Sequence, residues 1–190
     1  MKYVSTRDNS KEYNFEQVFI KGLADDGGLY VPKSLKKYSF QELLELKNLS
    51  YNELSTEIIN QFSSDFISKE ELSSLVKKSY STFREKEVVK ISNVNQLKLL
   101  ELFHGPTLAF KDVAMQFIGN LYEYYLSKND KKINIVVATS GDTGAAAIDA
   151  IKGKSNLNIF VLHPNNRISP VQRKIMTTVE EKNVFNIAID

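Results

Sequence analysis

A lysine and an anion-accepting turn, set one strand–helix unit apart, are the parts of this sequence best equipped for chemistry. In residues 104–112 (HGPTLAFKD), Lys111 stands at the mouth of a helix pattern that follows an apolar run. One unit further on, residues 138–145 (ATSGDTGA) close a second apolar run and open another helix pattern. A lysine amine can hold a carbonyl compound as an imine, and a helix N-terminus with bare backbone amides favours carboxylate or phosphate. An amine at one junction facing such a turn at the next is what an aldehyde cofactor held by lysine requires.

Each half alone has a plainer reading. Most lysines in a first helical turn are simply solvated. Against that, a positive charge is disfavoured at the positive end of a helix dipole, and Leu108, Ala109, Phe110, Val113 and Ala114 around Lys111 are apolar or small. The turn can be read as an ordinary capped loop, yet Thr139, Ser140, Gly141, Asp142, Thr143 and Gly144 supply hydroxyls, glycines and a helix N-terminus together. The spacing is neither that of a nucleotide P-loop nor of the dinucleotide fingerprint. Asp142 would repel a phosphate, so a carboxylate group or a cofactor hydroxyl is the better guest. Further on, Ser169 and Pro170 read as N-cap and first residue of a helix. Arg167 before them offers a fork for an anionic substrate, although arginine in a loop is common.

The elements that must position these residues change character near residue 93. Before it the pattern is mostly helical. Ser50 with Glu53, and Ser68 with Glu71, read as capping boxes; Leu54, Ile58, Ile59 and Phe62 share one helical face, and Leu72, Leu75, Val76 and Tyr80 another. Ser39 reads as the cap of a shorter helix. Residues 25–32 form a turn and a short extended segment. After residue 93, strands at 97–103, 133–138, 157–162 and 184–189 alternate with helices at 109–126, 143–151 and 169–180. That rhythm predicts an α/β fold with a parallel sheet flanked by helices on both faces, its ligand at the carboxyl ends of the strands. Residues 1–92 are expected as a mostly helical N-terminal domain and 93–190 as the start of an α/β domain. Ending directly after a strand, the sheet is expected to be truncated, with an apolar face or edge available for self-association.

Composition narrows the classes. The net charge is +2 with no basic block, so nucleic acid and anionic membranes are poor partners. There is no cysteine, which removes disulfides and thiol chemistry and suits a reducing, cytoplasmic setting. Residues 1–7 lack the apolar core of a signal peptide, and no run approaches a membrane span. Two histidines, His104 and His163, do not suggest a metal site.

Residues 102–112 (LFHGPTLAFKD) resemble the pyridoxal-phosphate motif of the threonine synthase family, in its longer bacterial and fungal form. Residues 3–7 (YVSTR), 22–32 (GLADDGGLYVP) and 138–146 (ATSGDTGAA) are similar to further signatures of that family, as are Ile168, Ser169 and Gln172 with 176–178 (MTT). Five motifs in family order make the resemblance specific. It implies a pyridoxal 5'-phosphate enzyme of fold type II, like the tryptophan synthase β subunit, that converts O-phosphohomoserine and water to threonine and phosphate. Carried over, Lys111 holds the cofactor and shuttles protons, and residues 139–143 cradle the substrate carboxylate. Asp142 falls where relatives outside the subgroup place an asparagine that bonds the cofactor's 3′-oxygen. Ile175 stands where many members have glutamine. The family's glycine-rich phosphate loop and its partner for the pyridine nitrogen have no counterpart in these residues. The chain is therefore expected to be an inactive N-terminal piece. A phospholyase acting on another O-phospho-amino acid, or a non-catalytic module, are the competing readings.

Overall fold

The computed structural model describes residues 1–190, which form two compact units, Met1–Val76 and Lys77–Asp190.

In the first unit, β1 (Tyr3–Ser5) pairs antiparallel with the strand that follows α1 (Phe15–Lys21), namely β2 (Tyr30–Pro32). Then come α2 (Phe40–Leu46), α3 (Tyr51–Ser63) and α4 (Lys69–Tyr80), whose last turn belongs to the second unit. The helices start where the caps predict. Ser39 and Ser50 each accept from the amide three residues on and receive the glutamate side chain in return, satisfying donors that have no intrahelical acceptor. Asn14 does the same for α1 with Gln17. Phe15, Phe19 and Phe66 pack ring against ring, and Tyr3 donates to the Phe62 carbonyl at 2.8 Å. On α4, Leu72 and Val76 are buried as its apolar stripe predicts. On α3 the fully buried residues are instead Thr56 and Ser63, made tolerable because each hydroxyl donates to the carbonyl one turn back.

The second unit opens with a hairpin, β3 (Lys90–Val94) and β4 (Leu97–Glu101), paired antiparallel. This corrects the expectation that residues 97–103 head the parallel sheet. Asn95, at φ 55°, takes the left-handed turn conformation that asparagine tolerates, and the chain doubles back after two residues. The leucine run is not the covered strand that its apolar composition predicts, for Leu97 is 72% exposed. After a loop come α5 (Asp112–Lys128), β5 (Ile133–Ala138), α6 (Asp142–Ile151), β6 (Leu157–Pro164), α7 (Pro170–Thr177) and β7 (Val184–Ile189). Helix α5 begins three residues later than expected, because Leu108 sits at φ 64° and Lys111 is only the cap.

Strands β5, β6 and β7 form a parallel sheet in that order. Leu157, Ile159, Val161 and His163 of β6 are buried on one face. Gly144 of α6 packs over Val161 and Met176, and Asn186 of β7 donates to the Met176 carbonyl, so α6 and α7 cover that face. The other face is open: Val136, Phe185, Ile187 and Ile189 are exposed, and the rings of Phe160 and Phe185 stack at 4.6 Å. Cover on both faces was expected. Strand order decides otherwise, since two right-handed crossovers between neighbours taken in sequence place both helices on one side. No helix is long and apolar enough to cross a membrane.

Candidate functional site

Lys111 is held by a loop that closes on Asp112. The Asp112 carboxylate is fully buried and accepts from the Thr107 amide at 2.8 Å and from the Thr107 hydroxyl at 2.6 Å. Gly105 is pressed so closely against it that any side chain would overlap the carboxylate. Burial pushes the Asp112 carboxyl above its ordinary range, and the Thr107 bonds pull against that shift. Upstream, His104 Nε2 lies 2.8 Å from Glu101, and the His104 carbonyl accepts from the Arg84 amide. A bond from the Ser92 side chain, reinforced by His104, holds the Glu101 carboxyl below its usual value.

With the loop fixed by its neighbours, the Lys111 side chain is left uncommitted. Its backbone caps α5 with helical angles and no side-chain bond to the helix. Its amine lies 4.5 Å from the Phe110 ring centre and has no carboxylate partner. An unpaired amine at a helix N-terminus fits a carbonyl ligand.

The second predicted segment follows β5. Thr139 Oγ1 accepts from the amides of Gly141 and Gly144, both at 3.1 Å. Gly141 has φ 155° and ψ −97°, a combination only glycine adopts readily. The Asp142 and Thr143 amides, in the first turn of α6, have no intrahelical acceptor. Ser140 and Asp142 are exposed and Thr143 is half-buried. Asp142 Oδ1 accepts from Gln172 Nε2 at 2.6 Å, which ties this turn to the start of α7. There Ser169 is the N-cap and Pro170 the first residue, as predicted. Arg167 is exposed.

The helices bring the two segments to one end. Gln116 bonds Asp149, Gly119 abuts Ala150, Asn120 bonds Lys154 and Glu123 bonds Ser155. These pairs rise together, so α5 and α6 run parallel. Lys111 and the 139–144 turn therefore lie at the same end of the helical layer, with the carboxyl ends of β5 and β6. A separate groove of about 460 Å³ beside α7, lined by Asn166, Ile168, Pro170, Arg173, Lys174 and Thr177, includes neither Lys111 nor any of residues 139–143.

With this geometry, a family model described as threonine synthase N terminus matches residues 2–80. The whole chain is 42% identical to a threonine synthase of Pseudomonas aeruginosa, covering 41% of that protein. It is 44% identical to one of Schizosaccharomyces pombe, covering 39%. The likeness is to the N-terminal portion of threonine synthase. Two solved threonine synthases agree in fold: that of Brucella melitensis, described as bound to pyridoxal phosphate, with a TM-score of 0.92 at 41% identity, and that of yeast, with 0.93 at 43%. They cover 100% and 98% of this chain, which covers 41% and 40% of theirs. The chain thus spans about two-fifths of the length of its threonine synthase relatives.

Sequence reasoning passed over Thr107 and Asp112 as partners, and Gln172 as the ligand of Asp142. A signal for the last existed, since Ser169 and Gln172 have capping-box spacing; the glutamine oxygen accepts from the Ser169 hydroxyl while its nitrogen reaches across to α6.

Proposed function

We propose that this chain supplies the lysine half of a threonine synthase site, which converts O-phosphohomoserine and water to threonine and phosphate. The observation that carries the reading is Lys111, an amine without an ionic partner at the helix end shared with the 139–144 turn. Pyridoxal phosphate, when bound, supplies the sink for electrons released at the substrate α-carbon. Lys111 Nζ would hold the cofactor aldehyde until the substrate amine frees it. It is then the base placed to take the proton from Cα, and a second from Cβ as the γ-phosphate leaves. It would give one proton to Cγ before water adds at Cβ and one to Cα afterwards. The free amides of Asp142 and Thr143, with the Ser140 and Thr143 hydroxyls, orient the substrate carboxylate. Thr139 acts from behind, its hydroxyl fixing the amides of Gly141 and Gly144. Asp142 is the residue of this turn we assign to the cofactor. We divide the chain at residue 92 into an N-terminal domain and the start of a fold-type II cofactor domain, and place the protein in the cytoplasm.

Borohydride trapping tests the lysine. After incubation with pyridoxal phosphate and reduction, the label is expected selectively on Lys111 and absent from that site in Lys111→Ala. Label scattered over surface lysines in the unsubstituted chain would defeat the reading. The 190 residues alone are expected to release no phosphate from O-phosphohomoserine.

The competing reading is a phospholyase acting on another O-phospho-amino acid; the chain is also 40% identical to a Homo sapiens protein named threonine synthase-like 2. Products of the full-length protein separate the two, threonine for the first and a keto acid for the second.

The open sheet face also supports self-association, because Val136, Phe185, Ile187 and Ile189 would otherwise stay in water. Sedimentation of the chain is expected to show species heavier than a monomer, and Ile187→Lys with Phe185→Ser to shift them toward monomer. A monomer at all concentrations in the unsubstituted chain would remove this proposal.

A further inference from the structure

We infer that Gln172 is the positioning residue of the 139–144 turn, holding Asp142 where it meets the cofactor; this rests on the reading above. The hydrogen-bond chain fixes which way the Gln172 amide points. The Gln172 backbone N–H donates to Ser169 Oγ at 3.2 Å, and the Ser169 hydroxyl donates to Gln172 Oε1 at 3.0 Å. With its carbonyl oxygen so occupied, the Gln172 amide turns its nitrogen to Asp142 Oδ1, 2.6 Å away. An ionised carboxylate can only accept, so an amide donor is the neutral group suited to holding it.

Two features make this a built contact. The Gln172 carboxamide lies flat on the turn: a Cβ on Gly141 would stand 2.7 Å from its Cδ and its Nε2. The glycine at 141 therefore serves both the backbone angle and the seat of Gln172. Further, Asp142 is exposed in the first turn of a helix, where an untethered aspartate competes for nearby backbone amides. Those amides are the ones assigned to the substrate. Gln172 keeps the carboxylate off them and leaves Oδ2 without a protein partner. The same bond couples the ends of β5 and β6, because α6 follows β5 and α7 follows β6.

Reversal of the pair tests this on the 190-residue chain. In nuclear magnetic resonance spectra, the Gln172 side-chain amide protons are expected to exchange slowly with water, and to lose that protection in Asp142→Ala. Gln172→Glu sets two carboxylates against each other. At neutral pH it is expected to lower the borohydride-fixed pyridoxyl yield on Lys111 about tenfold at limiting cofactor, the loss of one charge-assisted hydrogen bond. Gln172→Glu combined with Asp142→Asn reverses donor and acceptor and is expected to restore most of the yield. Unchanged labelling in Gln172→Glu and Gln172→Ala, with a freely exchanging Gln172 amide, would overturn the inference. Absence of Lys111 label in the unsubstituted chain would instead overturn the cofactor reading, and with it the role of Gln172 toward the cofactor. Amide protection would then still report whether the tether exists.

Discussion

Replacing Asp112 with alanine is expected to destabilise the second unit by about 2–4 kcal/mol, combining a lost charged hydrogen-bond partner with a cavity. The carboxylate is fully buried and is the acceptor for both the amide and the hydroxyl of Thr107. Removing it leaves a half-buried hydroxyl and an amide without their acceptor, in a loop that contains no regular structure. Asp112→Asn keeps the volume but can accept only through one oxygen, and is expected to cost about half as much. Thr107→Val should match Asp112→Asn more closely than Asp112→Ala, since it leaves the amide bond in place. Urea titrations of the four proteins measure this. Equal stability of Asp112→Ala and the unsubstituted chain would show that the loop is held by something else.

The same residue gives a pH dependence of defined sign. Burial raises the Asp112 carboxyl in the folded state, so the folded chain holds that proton more tightly than the unfolded chain. Its contribution is therefore fully present below the unfolded value and is lost as pH rises through the folded one. The stability gap between the unsubstituted chain and Asp112→Asn should widen on acidification across that window. A gap that narrows there would mean the Thr107 bonds outweigh desolvation. Because the loop carries Lys111 at its end, each variant should also lower pyridoxyl labelling of Lys111 in step with its stability loss.

What could be read from the residues, and what could not, follows the range of the interactions. Ser39 and Ser50 with their glutamates, and Ser169 with Pro170, act within one turn of chain, so their helix starts are legible. The runs at 133–138, 157–162 and 184–189 are legible as strands because continuous β-branched and apolar residues have few other homes. The hairpin was not, because Asn95 and Gln96 make a weaker turn signal than Asn-Gly, and four leucines in 97–102 look like core. At the site, Lys111 and residues 139–143 stand out by type and position. Their supports do not: Gln172 meets Asp142 only after a strand and a turn have folded. Thr107 meets Asp112 because Leu108 takes a left-handed angle that its sequence neighbours do not announce. The parallel course of α5 and α6, which brings both segments to one end, depends on small residues facing across the two helices.

That small-residue contact sets the second large effect. Gly119→Ala is expected to destabilise the chain by about 1–3 kcal/mol, in the range of an overpacked core, although alanine favours a helix over glycine by about 1 kcal/mol. The clash wins because of what it meets. The new Cβ would lie 2.6 Å from the Ala150 carbonyl oxygen, 3.1 Å from its carbon and 3.2 Å from its Cβ. Two of these atoms are backbone and cannot rotate away, so the helices must part. Ala150→Gly added to Gly119→Ala removes only the longest of the three contacts and should restore little of the loss. A full rescue would show that side chains, not the carbonyl, set the spacing. Parting the helices also strains the bonds from Gln116 to Asp149 and from Lys154 to Asn120, at 2.7 and 2.8 Å, which lie along the same seam. Since that seam holds Lys111 level with the 139–144 turn, Gly119→Ala should reduce Lys111 labelling more than its stability loss alone predicts. Labelling that tracks stability and nothing more would mean the lysine loop is placed by Asp112 without help from the helix pair.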